Sequence, residues 1–414
     1  MIGSLGGKDA SRPRGNPMGV LALCWGTYAA YYLGRVNLAV ALPAIQNEFG
    51  WSRAAVGLVG AALYWTYAAG QLVNGHLGDR ISPRRMVTLG LVLSALLNLV
   101  FGRLALLGPM VVVWALNGWA QSTGWGPMLK TLSRRFTPAE RGRVTALFTP
   151  CYVVGHAASW ALAGWLVATR DWRAVFWVPG LLLLIVAGLW RLLLPEPVPD
   201  RADTRPKANL RTGLSALPRH PDLRWGLVAA FLSGMIKDGL TLWGPTYLME
   251  RQNLDLGTAA VLGALIPMAG AGGAVLAGYL SHRRGDHSEA PIVAGLAALI
   301  VVAAAGLYGI GALGAMIPSL VALALIALGS HGMNGLLMTS LPLALGAEGE
   351  VSSAAGSMDF ASYVGGGIAA ALVGMLQDIT GWGGVYLVWV LVAGAIAALA
   401  LHQSRQVLPA AEPT

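Results

Sequence analysis

Four charged residues stand inside long apolar stretches of this chain: Arg35, Lys237, Asp238 and Asp359. A charge within hydrocarbon is costly unless it is paired or used, so each of the four is a candidate functional group. Arg35 lies within Tyr28-Ala-Ala-Tyr31-Tyr32-Leu-Gly-Arg35-Val-Asn37, and Lys237 within Gly234-Met-Ile-Lys237-Asp238-Gly239. A guanidinium offers a planar fork that suits phosphate or carboxylate, and an ammonium offers a point charge. Two buried cations cannot pair with each other, so together they predict an anionic ligand. The competing reading is a salt bridge from Lys237 to Asp238 or Asp359. Neighbouring helix residues point about 100° apart, so a direct Lys237–Asp238 pair is expected to be poor.

Positions 28, 32 and 35 share one helix face, which predicts a wall of two phenols, Tyr28 and Tyr32, beside the guanidinium. Tyr152 is a further candidate for this wall, with ordinary helix packing as the alternative. Asp359, Asp238 and His156 could carry a coupling proton, because histidine titrates near neutrality and a buried carboxyl resists ionisation. Packing or a local hydrogen bond is the alternative for Asp359 and His156. Asp79 stands with His76 near a predicted helix C-terminus, where the helix dipole disfavours an acid. Neighbouring bases or another helix's N-terminus should hold it, which predicts a gating latch and not a substrate contact.

The elements that position these residues are membrane helices. Of 414 residues, 56% are hydrophobic and 11% charged, against about a quarter charged in soluble domains. A helix needs roughly 20 apolar residues to cross a bilayer. The apolar runs predict spans near 19–43, 54–77, 85–105, 108–132, 143–168, 173–194, 223–249, 257–281, 289–310, 315–344, 352–376 and 382–402. The stretch 290–347 holds no Asp, Glu, Lys or Arg, and Gly311 to Pro318 marks its break. The fold class is therefore all-α: twelve transmembrane helices in two pseudo-symmetric six-helix bundles. The predicted parts are a disordered cytoplasmic tail at 1–17, bundles at 18–194 and 223–402, a linker at 195–222 and a tail at 403–414.

Net charge is +9, but the bases sit in alternate loops, as membrane topology requires, and not on a nucleic-acid-binding face. Arg80, Arg84 and Arg85, then Lys130 to Arg143, then Arg191 to Arg224, then Arg283 and Arg284 mark one side. This bias places both termini in the cytoplasm of a multi-pass plasma (inner) membrane protein. The loop 345–351, with Glu348 and Glu350 and no base, departs from the bias, but acids count little in it.

A repeat supports the two halves. Gly75-His-Leu-Gly-Asp79-Arg80 ends the second span, and Gly278-Tyr-Leu-Ser-His-Arg283-Arg284 ends the eighth, about half the chain later. Duplicated halves around a midplane site are a transporter architecture. Arg35 and Lys237 then occupy equivalent places, in spans one and seven. There is no phosphate-cradling nucleotide loop, no metal motif and no partnered nucleophile, so no cofactor and no enzyme activity is expected. Cys24 and Cys151 have neither metal-ligand spacing nor a disulfide framework.

The Gly-x-Leu-x-Asp-Arg run at 75–80 with its following bases resembles the loop motif of the major facilitator superfamily, and Pro-Glu-x-x-Pro at 195–199 resembles the end of its sixth helix. Tyr31-Tyr32-Leu-Gly-Arg35-Val-Asn37, Gly118-Trp-Ala-Gln121-Ser-Thr-Gly124-Trp125-Gly-Pro127, Trp243-Gly-Pro-Thr-Tyr247-Leu248 and Tyr363-Val-Gly-Gly-Gly367 are similar to the organophosphate:phosphate antiporter branch, the glycerol-phosphate and hexose-phosphate carriers. The resemblance implies that Arg35 is the phosphate-binding arginine, with Tyr28 and Tyr32 as its neighbours. Lys237 stands where that branch has a second arginine, Gln71 where it often has a lysine, Tyr152 where it has a histidine, and Leu242 where it has an acid. The implied pocket stays cationic but suits a dianion less, so a carboxylate or phosphonate becomes credible beside a sugar phosphate. Residues 35–43 are also similar to the anion:cation symporter branch, which carries sugar acids. The expected function is secondary transport of a small organic anion by rocker-switch alternating access. Phosphate antiport and proton symport are both open, and a ligand sensor of the same fold is the alternative. The expected partners are the bilayer, the solute and a counter-ion, with no nucleic acid, and the protein is expected to be a monomer.

Overall fold

The computed structural model describes residues 16–137, 140, 143, 144, 147–194, 221–284, 289–310, 315–341 and 348–407. Polar residues between the apolar runs start the helices by accepting their first free N–H groups. Asn16 accepts from Met18 N–H at 3.0 Å and opens α1 (Pro17–Leu33), and Ser52 accepts from Ala55 N–H at 3.2 Å and opens α3 (Arg53–Arg80). Between them runs α2 (Asn37–Phe49). Ser82 opens α4 (Pro83–Phe101). Then come α5 (Leu107–Gln121), α6 (Trp125–Ser133), α7 (Pro150–Thr169) and α8 (Ala174–Leu193).

The second half begins with α9 (Pro221–Gln252). Asp255 caps α10 (Leu256–Gly263), and Thr258 holds its carboxyl below the usual range through hydrogen bonds to the charged form. After α10 follow α11 (Leu265–Arg284), α12 (Ala290–Ile310) and α13 (Met316–Gly335), which ends in a π-turn (Leu336–Ser340). The last pair is α14 (Glu348–Thr380) and α15 (Trp382–Val407). Gly381, at φ 66°, turns the chain between them in the left-handed conformation that a side chain would strain.

Among the described residues, nine helical segments are long and apolar enough to cross a membrane by themselves. The remaining crossings are made by α1 with α2, by α5 with α6, and by α9, which fall short because they are broken or carry charge. The apolar outer faces, with Leu89, Leu192, Val275, Val302, Ile317 and Ile379 exposed, suit lipid. Inside, α3 and α9 both pack along α14, and α7 packs on α10, so the halves meet through these helices.

Two predicted spans, 19–43 and 108–132, are each interrupted for three residues. The chain leaves the helix at 34–36 and again at 122–124. The predicted tail falls outside the described residues through 15, while Asn16 and Pro17 already belong to the start of α1. The predicted linker lies outside them through 220, with α9 starting at Pro221. At the other end α15 continues to Val407, past the predicted stop at 402.

The halves are joined at the face opposite the termini. Arg53 Nη2 lies 2.8 Å from Glu250 Oε1, and Arg53 Nη1 lies 3.7 Å from Asp378 Oδ1. Asp378 also accepts from the N–H groups of Arg53 and Ala54, at 3.3 and 3.1 Å, capping α3 from the other half. Trp382 Nε1 donates to Glu250 Oε2 at 2.9 Å.

Candidate functional site

The break between α1 and α2 creates the site. Gly34, Arg35 and Val36 bond back to Tyr31 and Tyr32, as in a tightened last turn, and helix α2 then starts afresh. Carbonyl groups freed by such a break must be satisfied inside the bundle. Gly34 C=O accepts from Asn117 Nδ2 at 2.8 Å and from Asn98 Nδ2 at 3.2 Å. Val36 C=O accepts from Trp160 Nε1 at 3.2 Å. Asn37 Nδ2 donates to Asn98 Oδ1 at 3.0 Å and to Val175 C=O at 2.9 Å, which fixes the first turn of α2. Helices α4, α5, α7 and α8 thus all contribute to holding the break.

Arg35 projects from this break and is buried. Its Nε donates to Gln121 Oε1 at 3.0 Å and its Nη2 to Gln121 C=O at 3.5 Å. Gln121 is in turn fixed by donating to Tyr31 C=O at 3.1 Å and to Ser94 Oγ at 2.8 Å. It ends α5, at the second break, so the two broken spans meet at the guanidinium. The guanidinium carbon lies 4.7 Å from the ring centre of Tyr32, 4.5 Å from that of Tyr67 and 6.0 Å from that of Tyr28. Rings at these distances favour a cation without neutralising it. Among the described residues Arg35 forms no ion pair, and its Nη1 has no hydrogen-bond partner. A narrow cavity reaches it from the side of Tyr64, Thr241 and Leu242.

Lys237 is held differently. Its Nζ lies 2.7 Å from Asp238 Oδ1, and both side chains are nearly buried. This corrects the expectation that the adjacent pair would be poor. Cα directions do separate neighbours, but four flexible methylenes let an ammonium curl round to the next side chain. The Asp238 carboxylate rests on Gly366 of α14, where any Cβ would collide with it. Lys237 Nζ also lies 5.0 Å from the ring centre of Tyr363. The rings of Tyr363 and Tyr67 are 4.5 Å apart, so two packed phenols stand between the two cations.

Gln71 links the halves below these rings. Its Nε2 donates to Tyr67 Oη at 2.9 Å and to Asp359 Oδ2 at 3.4 Å. Asp359 forms no ion pair among the described residues. The centre therefore holds two cations and two carboxylates, and their formal charges cancel.

Of the other predicted residues, Tyr28 is buried against Trp125 and Phe148, with ring centres at 4.8 and 6.0 Å. Tyr32 lies 6.3 Å from the half-buried Tyr152 and stacks at 6.0 Å on His156, whose ring in turn lies perpendicular to that of Trp160 at 4.8 Å. His156 joins this ring cluster and makes no contact with Asp359 or Asp238 that the structure records. Asp79 lies in the last turn of α3, but its side chain and that of His76 are outside the described residues. Cys24 and Cys151 are both free and buried. Sequence reasoning missed Tyr64, Tyr67, Gln121 and Tyr363 as site residues. The signal for the first two was present: 64, 67 and 71 recur at helical spacing on one face of α3.

The model of the Major Facilitator Superfamily matches residues 24–370. The glycerol-3-phosphate transporter of Bacillus subtilis (strain 168) is 27% identical over 400 residues, 90% of this chain and 88% of that protein. Membrane sensor protein UhpC of Escherichia coli (strain K12) is 25% identical over 406 residues, 92% of this chain and 91% of that one. The probable hexose phosphate transport protein of Chlamydia trachomatis serovar D is 24% identical over 309 residues, 68% of each chain. These relatives belong to the organophosphate:phosphate antiporter branch that the motifs resemble. Among solved structures, a bacterial homolog of the human lysosomal transporter Spinster, inward-facing and unoccupied, superposes with a TM-score of 0.80. It covers 96% of this chain and 100% of that one at 17% identity, a likeness of fold alone.

Proposed function

The chain belongs to the Major Facilitator Superfamily, as a multi-pass membrane transporter and not an enzyme, and we propose that its cargo is a small organic anion bound at Arg35. The observation that carries this reading is the guanidinium itself: buried, oriented by Gln121, wrapped by tyrosine rings and without a counter-ion among the described residues. A buried cation of this kind calls for an anionic partner that comes and goes. The cargo classes that fit are a sugar phosphate, a phosphonate or a sugar acid. Nη1 faces the cargo, Tyr28 and Tyr32 line one wall, and Lys237 stands across the Tyr67–Tyr363 pair. Gln71 borders the site, and Tyr152 lies one ring further out.

The bundles at 18–194 and 223–402 then move as two bodies in the plasma membrane, with both termini in the cytoplasm. With both termini in the cytoplasm, the ion pairs at Arg53 close the outer face of this conformation. Exchange for phosphate and co-transport with a proton are the two ways of coupling the movement. The test is counterflow in proteoliposomes with glycerol 3-phosphate, glucose 6-phosphate and gluconate. Exchange of one of them by the wild type, and its loss in a folded Arg35→Ala variant, is the expected result. Normal exchange by that variant overturns the anion site. The likeness to a protein named as a sensor favours a second reading, binding without flux. A thermal shift with these ligands and no counterflow would establish it.

A further inference from the structure

We infer that Asp359 takes up a proton when the anion binds at Arg35, so the cargo crosses together with one H+. The inference rests on the anion site proposed above and assigns its coupling ion. The argument is one of charge. The Lys237–Asp238 pair is closed at 2.7 Å and satisfies itself. That leaves Arg35 and Asp359 as the two unpaired charges of the centre among the described residues. They are joined by contact through Tyr67 and Gln71: 4.5 Å from guanidinium to ring, 2.9 Å from Tyr67 Oη to Gln71, and 3.4 Å from Gln71 to Asp359. In the empty site each charge offsets the field of the other. An anion on Arg35 removes that compensation and leaves the Asp359 carboxylate as an uncompensated negative charge in a dry bundle. Such a charge is more costly than a neutral acid.

Asp359 gives up its charge more cheaply than Asp238, because its one recorded partner is a neutral amide and not an ammonium. The proton comes from the water on the side the anion enters. It converts the carboxylate to a carboxylic acid, and it leaves to water on the other side when the anion is released. No bond other than O–H forms or breaks.

Among the described residues the groups facing Asp359 are few. Helix α3 presents Gln71 with Tyr67 behind it, α9 presents Lys237 and Asp238, and the α1–α2 break presents Arg35. Its own helix adds Tyr363, and the π-turn has no titratable side chain. Of the titratable groups of α15, Tyr386 is buried against Tyr247 toward the Gly381 turn, and His402 and Arg405 are exposed. His331 on α13, bonded to Ala327 C=O at 3.0 Å, and His156 on α7 are the rival proton acceptors.

The test uses full-length protein and two probes that keep one negative charge throughout the range, D-gluconate and glucose 6-sulfate. Affinity by thermal shift and by calorimetry is measured from about pH 5.5 to about pH 8.5, with proton uptake on binding read by an indicator dye. The wild type should lose affinity with rising pH, approaching about tenfold per unit, and take up close to one proton per anion. Asp359→Asn should bind as the wild type does at low pH, with no pH dependence and no proton uptake. A pH-independent wild type, or an Asp359→Asn variant that keeps the dependence, overturns the inference, the latter moving the proton to a histidine. Arg35→Ala separates the two claims: it should lose binding at every pH, and unchanged binding sinks the anion site itself. Absence of binding to either probe in the wild type removes both. Should Asp359→Asn fail to fold, His331→Gln and His156→Gln remove the rivals instead: proton uptake kept by both supports Asp359, and uptake lost in either overturns the inference.

Discussion

Arg35 and Lys237 occupy equivalent spans of the two halves, yet they are built in opposite ways. Arg35 stands on a broken helix, its orientation set by amides from neighbouring spans, with no counter-ion among the described residues. Lys237 stands on an unbroken 32-residue helix and is neutralised by the next residue in the chain. Equivalent spans of the two halves thus differ in both backbone and electrostatics. One cation is kept available and the other is kept quiet.

The sharpest way to break this contrast is at Arg35. Removing it should weaken anion binding by on the order of a hundredfold or more, because a buried charge-assisted contact is lost. Arg35→Lys should recover little of this, since an ammonium lacks the fork that engages Gln121 and the cargo together. Next in size is Asp238→Asn, which leaves the Lys237 ammonium uncompensated and should destabilise the fold by about 3 kcal/mol in denaturant titrations. Adding Lys237→Met to that variant should restore most of the stability. A double variant no more stable than the single one would mean that Lys237 is not the residue Asp238 serves. Gln121→Leu should lower anion affinity about tenfold while leaving the fold largely intact, as the guanidinium loses the acceptor that aims it. Smallest is Asn117→Leu, where Gly34 C=O keeps only its bond from Asn98. A loss of about 1 kcal/mol in melting measurements is expected, with little change in affinity.

Most of the fold was legible because apolar runs of membrane length leave no competing reading. The two breaks were not. Gly34-Arg35 and Ser122-Thr123-Gly124 lie inside apolar runs, and hydropathy passes over a few residues that leave the helix. Their trace in the sequence was the set of amides, Asn37, Asn98, Asn117 and Gln121, placed in spans that need no polar side chain. Attention to full charges alone overlooks these groups, although a freed carbonyl in a bilayer requires such donors. The buried cation at Arg35 was legible from its type and depth. The state of Lys237 was not, because which neighbour a long flexible side chain finds depends on the third helix that closes over it, here α14 at Gly366. Tyr363 was out of reach for the same reason: its place between the cations follows from how α14 packs on α3.

The carboxylate of Asp378 completes the first turn of a helix that belongs to the other half. Opening that face therefore uncovers the positive end of α3 and exposes three formal charges to whichever solution bathes it. Interactions this close to water are weakened by dissolved ions over about 8 Å at physiological salt. The balance between the two orientations should then respond to the salt content of one compartment and ignore that of the other. Raising salt on the side of a sealed vesicle that this face meets should populate the form open to that side, and raising it on the other side should not. A carrier so built would read the salinity of its surroundings through the end of a single helix.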